Sequence, residues 1–262
     1  MMQPWTQAAK RSPAKVASQA ASNRDLPLSV IYADALYQPV PPVEYDDDGY
    51  PVRDSKVSES TRHLATSVYG YYTLETWFSD RPETLVASDL VLLFEEGNPE
   101  AALAPDVMVI FDASTFDRLS YKVWREGDRV PDFVLEVLSK STWRKDVRVK
   151  PGLYAALGVR ELWLFEPFGL ELAGYKLRDG TYESIRPLAD GGLASRVLGL
   201  DLVIEGEELR FRNPATGEVL PTHTQSESRR RQAESARRAA EERARQAEQR
   251  TAELEALLAR SK

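Results

Sequence analysis

The stretch Val130 to Pro167, VPDFVLEVLSKSTWRKDVRVKPGLYAALGVRELWLFEP, restricts the possible folds of this chain more than any other. Phe133 to Leu138 is almost wholly apolar, and so short a run between turn signals reads as a buried strand. A polar loop with Ser139, Ser141 and Thr142 follows, then a helix carrying Lys150 and Tyr154. A second apolar strand, Glu161 to Phe165, stops at Pro167. Strand, loop, helix and strand make an α/β unit. Glu136 stands inside the first strand, where a carboxylate is costly to bury unless it is paired or binds a cation. The stretch thus places an acid on a strand and a base on a helix, which is the layout of a site.

Composition sets the outer bounds. With 262 residues, 42% of them hydrophobic, the chain has room for one good-sized domain and extensions. A net charge of -7 argues against a broadly basic surface but leaves room for a local basic cleft. There is no cysteine, hence no disulfide and no thiolate metal site, which fits a cytoplasmic location. The two histidines, His63 and His223, are too few for a multi-histidine zinc site. No run approaches the roughly 18 apolar residues of a membrane span, so no membrane partner is expected. Residues 1–27 are basic and rich in small side chains; they read as a flexible leader lacking the apolar core of a signal peptide.

Residues 28–220 read as the globular domain. Glu44 to Gly49 holds three consecutive aspartates, a candidate cation cluster that fits a surface turn better. Ser58 to Phe78 reads as a helix, with Ser58 or Ser60 as N-cap and Glu59 in the first turn. Leu64, Val68, Tyr71, Tyr72, Glu75 and Trp77 form its expected core-facing stripe, and His63 is expected to be partly exposed. Leu85 to Phe94 reads as one strand, and Ser114 to Asp128 as a polar connection. Asp179-Gly180 predicts a hairpin between Leu172–Leu177 and Thr181–Pro187, and Leu193 to Phe211 supplies one or two further strands. From about Gln225 the chain turns to Arg, Glu and Ala, with Ala233, Ala236, Ala240, Ala244, Ala247, Thr251, Leu254 and Leu258 stepping by three or four. Residues 225–262 therefore read as a long charged helix, either solvated alone or forming a coiled coil.

Metal-assisted hydrolysis of a phosphodiester needs two or more carboxylates on one cation and a cationic group nearby. Asp132 shares a strand face with Glu136 but lies about 13 Å along it, too far to share an ion. Asp106 opens the apolar run Val107 to Phe111. If that run is a neighbouring strand, about 4.8 Å away, the two acids converge. Asp106 is therefore preferred and Asp132 is given a turn role. Lys150 lies four residues after Asp146 and four before Tyr154, a shared stripe if the helix includes Asp146. Pro151, however, favours a helix start near Lys150. Spacing alone leaves this lysine divided between a structural and a catalytic role.

These residues together carry a resemblance. Asp106 in APDVMVIF, Glu136 in PDFVLEVLSKST, Asp146-x-x-x-Lys150-x-x-x-Tyr154, Gly158-Val159-x-Glu161-x-Trp163 and Pro167 resemble the prokaryotic putative restriction endonuclease family of the PD-(D/E)xK nuclease superfamily. The similarity runs from Asp46 to Leu220. It implies a restriction-endonuclease-like mixed central sheet flanked by helices, with DNA as substrate and Mg²⁺ as cofactor, Mn²⁺ substituting. Asp106, Glu136 and the Val137 carbonyl would hold the ion. The superfamily's lysine position, two after the second acid, is Leu138 here, so the resemblance assigns the lysine to Lys150, with Tyr154 packing against or orienting it. Glu59 is the early acid available to complete the site. A homodimer is implied, since double-strand cleavage takes two sites. The alternative is a catalytically silent nuclease-like protein that engages partners through its C-terminal helix. In a third reading, Glu136 and Lys150 form only a buried ion pair.

Overall fold

The computed structural model describes residues 27–32, 44–45, 51–53, 60–98, 101–139 and 147–260. The expected leader, the aspartates of 46–48, Glu59 and Asp146 lie outside the described residues. In chain order the elements are α1 (Leu28–Ile31), β1 (Glu44–Tyr45), β2 (Pro51–Arg53), α2 (Thr61–Trp77), β3 (Thr84–Ala87), β4 (Val91–Leu93), β5 (Ala102–Leu103), β6 (Val107–Phe111) and β7 (Ser120–Lys122). They continue with β8 (Phe133–Val137), α3 (Lys150–Leu157), β9 (Glu161–Glu166), β10 (Glu171–Arg178), β11 (Thr181–Ser184), β12 (Leu193–Ser195), β13 (Leu200–Glu205), β14 (Glu208–Arg212) and α4 (His223–Arg260). The chain divides into two compact units at Leu220/Pro221, and α4 belongs to the second.

A six-stranded sheet in the order β11-β10-β9-β8-β6-β3 forms the centre of the first unit. It is mixed: β8 and β9 run parallel, while the other neighbours are antiparallel. Side chains alternate between its faces. Val134, Met108, Ile110, Leu162 and Leu164 form one core with Leu153 and Tyr154 of α3. Phe133, Leu135, Val137, Val107, Val109, Trp163 and Phe165 form a second core with Tyr69 and Leu74 of α2 and with Leu200, Leu202 and Phe211 of the β12-β13-β14 sheet. Glu136 therefore points to the face that α3 covers.

Two expectations need correction. The run 85–94 is not one strand. Asp89 takes a left-handed φ of 52° and splits it into β3, at the edge of the central sheet, and β4, in the β5-β4-β7 sheet. On α2 the face is reversed: Leu64, Val68 and Tyr72 are 58%, 42% and 42% exposed, while His63, Thr66, Ser67, Tyr69, Gly70, Thr73 and Leu74 are buried. Close approach explains this. A Cβ added at Gly70 would sit 3.0 Å from Val107 Cγ2, so the helix lies close on β6 there, with Tyr69 and Leu74 turned into the core and Leu64, Val68 and Tyr72 turned outward. The Asp179-Gly180 hairpin forms as expected, with φ of 50° and 77° at the two turn residues.

Glu161 joins the two halves of the second core. Its carboxylate is buried and accepts from Trp163 Nε1 at 3.1 Å, Ser195 Oγ at 2.6 Å, and the backbone N–H groups of Arg196 and Val197 at 2.9 and 3.3 Å. Gly174, opposite Trp163 on β10, has no Cβ to collide with the indole, whose Cζ3 would lie 2.7 Å from one. Replacing Glu161 with alanine strands several buried donors. Urea denaturation is expected to show a loss of about 3 kcal/mol or more with an unchanged m-value.

Candidate active site

The site begins where the β6–β8 ladder stops. The register pairs Val107 with Leu135, Met108 with Val134 and Val109 with Phe133. Extended past the end of β6, the same register would set Asp106 opposite Glu136 and Pro105 opposite Val137. Proline has no N–H to offer the Val137 carbonyl, and the Pro105 carbonyl is taken by Asp89 N–H at 3.0 Å. The Val137 N–H instead donates to Asp106 Oδ2 at 2.7 Å. The Ser88 hydroxyl donates to the Asp106 carbonyl at 2.6 Å, fixing the backbone at the strand mouth.

Glu136 is 2% exposed and bound from α3. Lys150 Nζ donates to its Oε1 at 2.8 Å, and the Tyr154 hydroxyl donates to the same oxygen at 2.6 Å. Pro151 stands in the first turn of α3, where its missing N–H costs nothing, and Gly158 ends the helix at φ 93°. Lys150 and Tyr154, one turn apart on this eight-residue helix, therefore reach down together. Tyr154 was expected to pack against or orient Lys150; it bonds Glu136 directly. Both contacts to the carboxylate are charge-assisted and short.

His63 enters from the other side of the sheet, on α2. Expected to be partly exposed, it is 4% exposed, with Nε2 3.3 Å from Asp106 Oδ1. A sequence signal existed: His63 lies on the stripe of small and polar residues, Thr66, Ser67, Gly70 and Thr73, that proves to face the sheet. Ser60 is the N-cap, accepting from His63 N–H. Asp132 has a structural role: Oδ2 accepts from Phe111 N–H and Oδ1 pairs with Arg160, both at 2.9 Å, tying the ends of three strands.

The structure thus brings together Asp106, Glu136, Val137, Lys150 and Tyr154, and adds His63. Two carboxylates and a backbone carbonyl on adjoining strand ends form an all-oxygen donor set that suits a hard divalent cation such as Mg²⁺. Among the described residues, no group of three or more His, Cys, Asp or Glu is arranged to hold a metal. A cleft of about 560 Å³ follows the edge strand β3, lined by residues including Tyr71, Arg81, Phe116 and Arg118, and reaches Ser88 beside Asp106.

Replacing Lys150 with methionine removes a cation bonded to the buried Glu136 and is expected to cost about 3 kcal/mol in chemical denaturation. In a double-mutant cycle with Glu136→Gln, a coupling of about 1–3 kcal/mol is expected between the two side chains.

Comparison with known proteins adds three findings. The Uma2 family model, described as putative restriction endonuclease, matches residues 34–206, well over half of the 262-residue chain. Among curated proteins none matches. A crystal structure of a putative nuclease belonging to DUF820 from Anabaena variabilis aligns with 14% identity and a TM-score of 0.42, over 55% of this chain and 80% of that one.

Proposed function

Because the chain belongs to the putative restriction endonuclease family, we propose that it is a Mg²⁺-dependent endonuclease that hydrolyses phosphodiester bonds of DNA. The observation that supports the reading is the bond from the N–H of Val137, the residue after Glu136, to Asp106 Oδ2 at 2.7 Å, with Lys150 held 2.8 Å from Glu136. Asp106, Glu136 and the Val137 carbonyl are the residues that would hold the ion. Bound there, Mg²⁺ would supply a Lewis acid for the phosphate and a more acidic water. Lys150 brings positive charge beside the reacting phosphate and offsets the charge that builds on it. Tyr154 keeps Glu136 in place and is not required to exchange a proton. The cleft along β3, with Arg81 and Arg118 in its wall, would give a strand of nucleic acid a place to lie up to Ser88, whose hydroxyl bonds the Asp106 carbonyl. A homodimer, one site for each DNA strand, and a cytoplasmic setting belong to the same proposal. No helix among the described residues is long and apolar enough to cross a membrane.

One observation favours the second reading, a catalytically silent interaction module. The 38-residue α4 is exposed wherever its side chains are described, save a half-buried Glu227, and ion pairs such as Glu227–Arg231 and Glu234–Arg238 lie within the helix. Its faces are therefore available to a partner.

Calorimetry with Mn²⁺ on wild type and Glu136→Ala, followed by plasmid nicking with the same samples, tests the proposal. Wild type is expected to bind Mn²⁺ and nick the plasmid, while Glu136→Ala does neither and keeps its far-UV spectrum. Equal cutting by the two proteins would remove Glu136 from the chemistry. Absence of both binding and cutting in wild type would favour the interaction module.

A further inference from the structure

The geometry points to His63 as a positioning residue that fixes the Asp106 carboxylate for its cation; this inference rests on the metal-dependent reading above. A carboxylate bonded through one oxygen can still rotate about Cβ–Cγ. Asp106 meets a nitrogen at both. The Val137 N–H takes Oδ2 at 2.7 Å, and His63 Nε2 lies 3.3 Å from Oδ1. The two holders come from different elements, β8 of the central sheet and α2 packed on it, so together they set the carboxylate plane rather than only its distance.

The His63 ring is itself carried on stiff backbone. Its N–H donates to the Ser60 hydroxyl at 3.2 Å, and its carbonyl accepts from the Ser67 hydroxyl at 3.1 Å. Gly70, two turns along, sets the height of the helix over β6 through its contact with Val107. The ring is almost fully enclosed, at 5% side-chain exposure, and the Asp106 side chain retains 16%. The aspartate is thus the member of the pair with access to solvent, where a cation would arrive.

The contact also bears on the tautomer. A hydrogen on Nε2 suits a nitrogen that faces a carboxylate oxygen, since the other tautomer would set two lone pairs against each other. In this inference Nε2 of His63 serves Asp106 as a donor and is not itself a metal ligand. An outer partner that orients a ligating group typically contributes about 10- to 100-fold in metal affinity. Glutamine can place an amide N–H near the position of Nε2, whereas alanine cannot.

The test uses the full chain. Mn²⁺ calorimetry and thermal unfolding are measured on wild type, His63→Ala and His63→Gln. The imidazole nitrogens of wild type are followed by ¹⁵N NMR with and without Mg²⁺; with only His63 and His223 in the sequence, one substitution assigns both rings. The expected result is an affinity about 10- to 100-fold weaker in His63→Ala, recovery of most of it in His63→Gln, and an Nε2–H on His63 that persists at saturating Mg²⁺. Unchanged affinity in His63→Ala would overturn the inference while leaving the metal site intact. So would a folded His63→Gln no better than alanine, or loss of the Nε2 proton on adding Mg²⁺, which would make His63 a ligand. If His63→Ala does not fold, the glutamine variant and the wild-type spectra decide. If wild type binds no Mn²⁺, the metal-dependent reading falls and takes this inference with it.

Discussion

The charge of Glu136 must be compensated where it lies. A carboxylate inside a buried strand is tolerated only with a counter-charge and hydrogen bonds in reach. Both come from α3, through Lys150 and Tyr154. The position of that helix is also demanded by topology. Strands β8 and β9 are parallel neighbours, and parallel neighbours need a crossover that packs over the sheet. The segment that satisfies the connection therefore also supplies the groups that make Glu136 affordable. Pro151 and Gly158 bound the helix so that Lys150, in its first turn, stands above the strand end.

The opposite face supports the sheet by other means. There α2 lies close to β6 through Gly70, and Glu161 ties β9 to the corner before β13. Asp106 sits beyond the end of β6, where both faces can be reached. It is bonded by the strand beside it and approached by a histidine from the helix on the far side. The site is thus assembled from two cores whose apolar contacts are otherwise separate.

Much of this was legible in the sequence. The strand–helix–strand unit, the nearness of Asp106 to the end of β8 and the start of α3 near Lys150 follow from side-chain period, strand spacing and the preference of proline for a first turn. The reversed face of α2 did not follow, because a hydrophobic stripe predicts burial only when large side chains fit the gap. Here Gly70 closes the gap, and Thr66, Ser67 and Thr73 fill it. The same error hid His63, whose burial depends on which face of α2 turns inward. The break at Asp89 was missed for a related reason: a left-handed residue between two apolar runs leaves hydrophobicity continuous while the backbone changes sheet.

Val137 contributes to the site through its main chain alone. Its N–H binds Asp106, and its side chain belongs to the core on the opposite face. Any residue that packs well there preserves the contribution, and proline alone among the standard residues would erase the N–H. That corner of the site is therefore insulated from drift in the core, and selection on packing can proceed at position 137 without touching the chemistry. Asp106 and Glu136, which contribute by their side chains, have no such freedom.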